Sequence, residues 1–354
     1  MVSPGRARAA RVTGMGHAVP GPFDQRAVWE AFFAGHYAEV PSAERIFIGS
    51  GVRTRHAVAN PMDGDVSGWG TAARMRRYLA EATPLGKAAV TGALADAGLD
   101  AGAVGLFAVA SCTGYTTPGI DIRLARDVGM PADVQRLLVG HMGCYAAIPG
   151  LGAAADFAAA RGRPAVLLCL ELPSLHIQPA TDEVDQVVAH ALFADAAAAL
   201  VVQPAGLDVG YHVLDVVART DETTAEYMTW EVTDAGFRMG LSPRVPAVLG
   251  RYVRDVVQGL LRRNGLELSD VDGWAVHPGG RRILEVVGRR LELPRSALDA
   301  SYGVLRDFGN CSSATVLLVL DRLRSAGAVR AGRHAVAMAF GPGLTLYAAL
   351  LRAG

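Results

Sequence analysis

Lysine is nearly missing from this 354-residue chain: Lys87 is the only one, and arginine supplies the other basic side chains. The 34 basic residues equal the 34 acidic residues, so the formal net charge is zero. A balanced charge predicts no strongly basic surface of the kind that binds nucleic acid or an anionic membrane. We therefore expect neither nucleic acid nor membrane as a partner.

Cysteine is also scarce, and the four cysteines are Cys112, Cys144, Cys169 and Cys311. None of them forms a CxxC pair, so the pattern of a zinc knuckle is absent and we expect no metal site. A chain of this length buries a large core without disulfide bonds. We therefore expect reduced thiols and a cytoplasmic location.

Long apolar runs are missing as well. No uninterrupted run reaches the length of a transmembrane helix, and residues 1–16 contain no apolar stretch of signal-peptide length. Hydrophobic residues nevertheless make up 51% of the chain and charged residues 19%, which is typical of a globular protein.

Short apolar segments alternate with longer alanine-rich segments of helical periodicity, which predicts an α/β fold with parallel strand pairs. The predicted strands cover residues 104–111, 164–171, 196–203, 272–279 and 334–341. The predicted helices cover residues 85–99, 146–162, 246–266, 281–293 and 312–327.

The two halves of the chain repeat one layout. A strand begins about 40 residues before Cys144, and another begins about 40 residues before Asn310. Each of these residues is followed by a helix of small residues and then by an apolar strand. We therefore expect two similar halves, 1–205 and 206–354, that share one core.

Three stretches contain side chains suited to catalysis: GHMGCYA with Cys144, WAVHPGG with His277 and DFGNCSSA with Asn310. Cys144 opens a predicted helix, whose N-terminus favours a thiolate, and a nearby histidine would lower the thiol pKa further. An asparagine amide donates hydrogen bonds to an oxyanion without giving up a proton. Glycines beside His277 and Asn310 allow the backbone to approach a ligand closely.

Each residue also has a purely structural interpretation. A single buried cysteine is usually an inert core residue, a histidine before proline can cap a strand, and asparagine after glycine often occupies a turn. The order Cys, His, Asn also occurs in papain-like proteases, but their cysteine has a tryptophan beside it and lies near the mature N-terminus.

The sequence resembles the type III polyketide synthases, the chalcone and stilbene synthase family of the thiolase superfamily. The resemblance rests on GC at 143–144, HALFADAAAALVV at 190–202, WAVHPGGRRILE at 274–285, GNCSSATVLLVLDRLR at 309–324 and AFGPGLTL at 339–346. These motifs occur in the family's order over nearly the whole chain. The composition is typical of a bacterial member.

The resemblance implies a five-layered αβαβα thiolase-like fold built from two duplicated halves, a homodimer, and no metal or organic cofactor. It implies that Cys144 takes an acyl group from an acyl-CoA starter and that His277 keeps the thiol ionised. His277 and Asn310 then bind the thioester carbonyl of malonyl-CoA during decarboxylation and condensation.

The resemblance also implies a substrate cavity with a gate. Phe193 matches one gatekeeping phenylalanine, whereas Met239 stands where the second is expected. Trp230 stands where the family often carries glycine, which predicts a narrower cavity and therefore fewer extensions or an altered cyclisation of the product. Pro173 and His176 replace cavity residues that are often threonine in the plant enzymes, whereas Ser312 keeps the serine behind the active-site asparagine. Thr117 matches a residue that reaches into the neighbouring subunit, and the loop of Gly341, Pro342 and Gly343 matches the loop that shapes the cavity floor. Arg45, Arg53 and Arg55 match basic positions that hold coenzyme A phosphates.

Two other functions remain open at this point. One is a ketoacyl synthase of the same superfamily that performs a single condensation without ring closure. The other is a scaffold that binds acyl-CoA or a partner subunit without catalysis, which the presence of Cys144, His277 and Asn310 argues against.

Overall fold

A computed structural model describes residues 10–206 and 209–354. Its strands are β1 (Ala10–Ala18), β2 (Pro22–Asp24), β3 (Thr54–His56), β4 (Leu106–Ser111), β5 (Gln135–Gly140), β6 (Ala165–Glu171), β7 (Ala196–Pro204), β8 (Tyr211–Thr220), β9 (Met228–Thr233), β10 (Gly236–Leu241), β11 (Val271–Val276), β12 (His334–Gly341) and β13 (Thr345–Ala353). Its α-helices are α1 (Gln25–Val28), α2 (Ala34–His36), α3 (Ala43–Gly49), α4 (Thr71–Asp96), α5 (Ile120–Val128), α6 (Ala147–Arg161), α7 (Val184–Leu192), α8 (Val245–Arg263), α9 (Arg281–Leu291), α10 (Asp299–Phe308) and α11 (Ala314–Ser325).

Nine strands form one mixed sheet in the order β11-β12-β13-β8-β1-β7-β6-β4-β5. Strands from the first half of the chain make up one end, and strands from the second half make up the other. The antiparallel pairing of β1 with β8 joins them. Each half contains a parallel pair, β4 with β6 in the first and β11 with β12 in the second.

Side chains alternate across these strands and fill separate cores, as the period of a β-strand requires. In β4, Ala108 and Ala110 face a central core with helices α6 and α11, whereas Phe107 and Val109 face the core that includes α4. In the second half, the strands' other face packs on α8 and α9. The layers therefore run α4, first-half strands, α6 with α11, second-half strands, α8 with α9, which is the expected five-layered αβαβα fold.

The five predicted strands and five predicted helices all occur, with small shifts at their ends. The largest difference is α4, which begins at Thr71 rather than near residue 85. Pro84 lies inside this helix, and proline normally marks a helix start or break. In the described part of the chain, no helix is both long and apolar enough to cross a bilayer.

Candidate active site

One pocket of about 1110 Å³ brings the three predicted catalytic side chains together. Cys144, His277 and Asn310 all line it, although they come from distant parts of the chain. All three are buried, and His277 is wholly so. A pocket that is mostly apolar but contains a few convergent polar groups is the usual form of a substrate site.

The turn that carries Cys144 packs closely against the loop of Gly341 and Pro342. Gly143 has a φ of +71°, a backbone conformation that residues other than glycine rarely adopt. A Cβ at this position would also lie 2.9 Å from Cδ of Pro342. A Cβ on Gly341 would lie 3.0 Å from the ring of Tyr145. The loop predicted to shape the cavity, which includes Gly343, therefore packs against the Cys144 turn. The turn leads directly into helix α6.

His277 follows the last residue of strand β11, and its backbone N–H donates to the carbonyl of Met338 at 2.8 Å. The edge of its ring meets Phe340, with 5.6 Å between the ring centres. Among the described residues, neither ring nitrogen has a hydrogen-bond partner. An imidazole that is buried without partners and faces a pocket is available to a ligand.

Asn310 is oriented by its own neighbours. Its side-chain oxygen accepts a 2.9 Å hydrogen bond from the backbone N–H of Ser312, which leaves the amide NH₂ as its donor group. Its backbone N–H donates to the carbonyl of Leu192 at 2.8 Å, and its carbonyl accepts from Ala194 at 3.0 Å. Asn310 is thereby fixed to the segment that contains Phe193.

Burial is the largest cause of the pKa shifts of Cys144 and His277. It raises the pKa of the Cys144 thiol to about 12, against opposing hydrogen bonds from Ser312 and Asn310. Burial also lowers the pKa of His277 to about 3. The expected lowering of the thiol pKa is therefore wrong for the thiol alone, because loss of water outweighs the helix N-terminus. Neither group therefore holds a lone charge readily in this pocket.

A buried carboxylate that the sequence interpretation missed lies beneath the site. Glu171 accepts hydrogen bonds from the backbone N–H of Cys112 at 3.0 Å and from the hydroxyls of Thr113 at 2.8 Å and Ser313 at 2.6 Å. Burial raises its pKa. The Cys112 thiol lies 3.6 Å from the Ser312 hydroxyl, which continues the network toward Cys144. In the sequence, the signal for this buried carboxylate was a single acidic residue, Glu171, at the end of the apolar run PAVLLCLE.

Phe193 and Met239 contribute to two cavities, the main pocket and a narrow one of about 40 Å³. They therefore stand between the two, where a gate was expected. Pro173, His176 and Trp230 line only the narrow cavity.

An aromatic cluster lines the narrow cavity. His176 stacks on Phe237 with 4.5 Å between ring centres, and Trp230 meets both rings edge-on. The Trp230 indole N–H donates to the carbonyl of Cys112 at 2.7 Å. Trp230 is thereby fixed in the wall of the narrow cavity.

The prediction that Arg55 binds coenzyme A phosphates is wrong. Its side chain is buried, and its guanidinium donates to the carbonyl of His190 at 2.6 Å and to the carbonyl of Phe193. A guanidinium that satisfies backbone carbonyls in the interior has no access to a phosphate. Arg55 instead fixes the backbone of the segment from His190 to Phe193.

Arg45, Arg53 and Thr117 are exposed, and none of them lines the main pocket. Arg45 lies on α3, whose residues Ile46 and Gly49 do line the pocket. The Thr117 hydroxyl donates to the Tyr115 hydroxyl at 3.2 Å on a surface loop.

The cations that line the pocket are four arginines that the sequence interpretation did not select. They are Arg281, Arg282, Arg289 and Arg295. Arg281, Arg282 and Arg289 belong to helix α9, and Arg295 begins the short 3₁₀ helix that follows it. Within residues 10–206 and 209–354, no group of three or more His, Cys, Asp or Glu side chains is arranged to hold a metal ion.

Comparison with known families agrees with this geometry. The family model for the N-terminal domain of chalcone and stilbene synthases matches residues 9–205, and the model for the C-terminal domain matches residues 216–353. The chain belongs to the chalcone and stilbene synthase family. It is therefore a type III polyketide synthase, a transferase that performs decarboxylative condensation with acyl-CoA and malonyl-CoA substrates.

Relatives of this polyketide synthase come from several bacteria. The alpha-pyrone synthesis polyketide synthase-like Pks18 of Mycobacterium tuberculosis is 33% identical over 314 residues, covering 85% of this chain and 80% of that protein. The 1,3,6,8-tetrahydroxynaphthalene synthase of Streptomyces peucetius subsp. caesius is 36% identical over 318 residues, covering 87% and 82%. The crystal structure of the Streptomyces coelicolor A3(2) tetrahydroxynaphthalene synthase matches with a TM-score of 0.91 at 29% identity, covering 97% of this chain and 99% of that one.

Proposed function

We propose that Cys144, His277 and Asn310 are the catalytic residues of this polyketide synthase. The observation that carries the proposal is their convergence on one buried pocket, with His277 unpartnered and the Asn310 amide turned into a donor. The three side chains supply a nucleophile, a proton acceptor and an oxyanion donor, which are the groups that acyl transfer requires.

In the first step, an acyl-CoA starter enters the main pocket and the Cys144 sulfur attacks its thioester carbonyl. The Cys144 proton passes to His277 as the carbon–sulfur bond forms. The tetrahedral intermediate then expels coenzyme A, which takes the proton and leaves as the free thiol. The acyl group remains on Cys144 as a thioester.

In the second step, the carbonyl oxygen of malonyl-CoA accepts hydrogen bonds from His277 and the Asn310 amide. Loss of carbon dioxide leaves an enolate, whose negative oxygen these donors stabilise. The enolate carbon attacks the Cys144 thioester and forms the new carbon–carbon bond. The Cys144 thiolate is released and takes up a proton from solvent, which restores the thiol that accepts the extended chain.

The narrow cavity beyond Phe193 and Met239 supports limited extension of the chain. Trp230, His176 and Phe237 already fill much of the space on that side of the gate. A cavity of small volume allows fewer malonyl units to be added before the chain cyclises or is released. Pro173 lines the narrow cavity and is proposed to contact the growing chain, whereas Ser312 is buried, lines neither cavity and is proposed to act through its hydrogen bond to the Cys144 thiol.

A second copy of the chain is the proposed partner, as a homodimer. Strand β5 lies at the edge of the nine-stranded sheet with its backbone open to pairing, and Leu138 on it is 52% exposed. Tyr115 on the adjacent loop is 62% exposed, and Thr117 lies beside it. Light scattering after size exclusion is expected to give a dimer, and Leu138→Arg is expected to give a monomer. A monomeric wild-type protein would contradict the proposal.

We also propose that catalysis requires no metal or organic cofactor, because the acyl group is carried on Cys144 itself. Treatment with EDTA followed by gel filtration is then expected to leave the rate of condensation unchanged. All four cysteines are free thiols, which supports a reducing compartment such as the cytoplasm.

Mass spectrometry of products tests the proposed function. Purified enzyme is incubated with malonyl-CoA and a panel of starter thioesters, and Cys144→Ala is the control. We expect polyketide products from the wild type and none from the variant. Products that contain one condensed unit and no ring would favour the single-condensation ketoacyl synthase instead. Product formation by Cys144→Ala at the wild-type rate would exclude Cys144 as the nucleophile.

A further inference from the structure

The outer layer formed by helices α8 and α9 carries charge of mainly one sign. The two helices contain eight arginines, namely Arg251, Arg254, Arg262, Arg263, Arg281, Arg282, Arg289 and Arg290, but only two acidic residues, Asp255 and Glu285. The whole chain has equal numbers of basic and acidic residues. Because net charge is a sum, a value of zero does not exclude a basic layer of this kind.

Half of these arginines have no carboxylate to neutralise them. Arg251, Arg254, Arg263 and Arg281 each form an ion pair with an aspartate or a glutamate. The other four, Arg262, Arg282, Arg289 and Arg290, are exposed and have no carboxylate within ion-pair distance in the part of the chain that the structure describes. A solvent-exposed surface normally mixes both signs, whereas a surface of one sign steers a charged partner.

The two helices pack closely and both border the main pocket. A Cβ on Gly250 of α8 would lie 3.1 Å from Cγ1 of Val286 and 3.3 Å from Nε of Arg290, so glycine allows α9 to lie directly against α8. Pro246 of α8 and Arg282 of α9 both line the pocket. The outer surface of the two helices, which we call the α8–α9 arginine face, therefore continues from the entrance of the substrate site.

Most of this face lies away from the pocket. Arg262 and Arg290 do not line it. Arg290 lies about 12 Å along α9 from Arg282, and Arg251 and Arg262 are about 16 Å apart along α8, at the usual rise of a helix. These dimensions exceed a small-molecule site and suit the footprint of a small protein domain, about 800 Å² for each partner.

The surroundings of the face favour a protein over a membrane or a nucleic acid. Among the described residues, none of the large hydrophobic side chains that are exposed lies on α8 or α9, so the face lacks the apolar groups that insert into a bilayer. A nucleic acid would have no use for the substrate pocket beside the face. An acidic protein that delivers a substrate would use both.

We propose that the α8–α9 arginine face docks an acidic acyl carrier protein, which presents an acyl thioester to Cys144 on its phosphopantetheine arm. The inference rests on the proposed function, in which Cys144 accepts the acyl group. The arm enters the main pocket, and the carrier domain stays outside on the two helices. Complementary charges on the two proteins speed their encounter.

The transfer follows the chemistry of the loading step. The Cys144 sulfur attacks the thioester carbonyl on the arm, and its proton passes to His277. The bond between the acyl carbon and the sulfur of the arm then breaks. That sulfur takes the proton and leaves as the free thiol of the carrier protein, and the acyl group stays on Cys144.

Acyl transfer from two donors tests the proposal. The starter that labels Cys144 most readily from coenzyme A is also loaded on a bacterial acyl carrier protein of fatty acid synthesis, and labelling is followed by mass spectrometry. The double variant Arg262→Glu, Arg290→Glu is expected to lose roughly 10- to 100-fold in the rate constant for transfer from the carrier protein. Its rate constant for transfer from coenzyme A is expected to change less than about twofold. Salt at about 0.5 M should bring the wild type close to the variant, because it screens exposed charges.

Arg76→Glu is the matched control, because Arg76 is an exposed arginine on α4, the outer layer on the opposite side of the fold. It is expected to keep the wild-type rate with both donors. Four results would overturn the inference: a double variant that keeps the wild-type rate with the carrier protein, equal losses with both donors, an equal loss in Arg76→Glu, or a wild type that is labelled from coenzyme A alone. Duplex DNA or anionic lipid vesicles that bind the wild type but not the double variant would also overturn it. A wild type that neither donor labels would refute the proposed function itself.

Discussion

His277→Gln separates the contribution of the imidazole from that of the pocket around Cys144. In the proposed mechanism, the Cys144 sulfur passes its proton to the His277 imidazole, so both charges arise together. Glutamine has nearly the same reach but accepts no proton at neutral pH. The thiol of the variant therefore ionises alone in a buried pocket.

The size of the effect follows from the burial of Cys144. With a pKa of about 12 in place of the ordinary 9.0, roughly 1 in 10⁵ of the thiols is ionised at pH 7. The ionised fraction of an exposed thiol with the ordinary pKa of 9.0 is about 10³ times larger at the same pH. Each unit of added pH raises the thiolate fraction of the variant about tenfold until the pKa is reached.

Alkylation by iodoacetamide measures this fraction, with peptide mapping to identify the modified cysteine. We expect Cys144 of the wild type to react before Cys112, Cys169 and Cys311, at a rate that changes little between pH 6 and 9. We expect Cys144 of His277→Gln to react at least about 10²-fold more slowly at pH 7, with a rate that rises tenfold per pH unit. A variant that reacts at the wild-type rate, or with a flat profile, would refute the coupling of Cys144 to His277. Unchanged circular dichroism and melting temperature show that the variant is folded.

Three further substitutions test other parts of the site. Asn310→Asp keeps the side-chain oxygen that accepts the hydrogen bond from Ser312 but loses the amide donor. Decarboxylation of malonyl-CoA is therefore expected to slow by about 10²–10³. A rate within threefold of wild type would contradict the role of the amide. Trp230→Gly removes an indole from the narrow cavity, so mass spectrometry should detect products with at least one more malonyl unit; an unchanged product set would show that another side chain limits extension. Gly143→Ala puts a Cβ against Pro342 at a φ of +71°, and we expect about 1–3 kcal/mol less stability in chemical denaturation together with a lower kcat; wild-type stability would contradict the need for glycine.

Local patterns in the sequence were enough to predict the α/β strands and helices and the three catalytic candidates, whereas the five-layered arrangement was expected from the family resemblance. Strands β4 and β12 are short apolar runs bounded by turns, and buried strands of this kind give a clear signal. His277 and Asn310 lie beside glycines at the ends of secondary structure elements, where ligand contacts are common. The family motifs added the order in which these residues occur.

Features that depend on three-dimensional neighbours were not predictable in the same way. Arg55 was assigned to phosphate because arginine is suited to phosphate, but its carbonyl partners lie more than 130 residues away in the chain. Strand β5 is exposed along most of its length, so it lacks the buried pattern of the other strands in its half. The start of α4 was missed because Pro84 reads as a helix boundary in the sequence, whereas packing of α4 on β1 and β7 keeps the helix continuous.

Mass spectrometry of the intact protein, followed by peptide mapping, tests the transfer of an acyl group to Cys144. The enzyme is incubated with an acyl-CoA starter in the absence of malonyl-CoA and quenched in acid, and a portion is then digested and mapped. We expect one acyl group per chain, carried as a thioester on Cys144 and absent from Cys144→Ala. An adduct on another residue, or an equal adduct on Cys144→Ala, would show that Cys144 is not the acyl carrier.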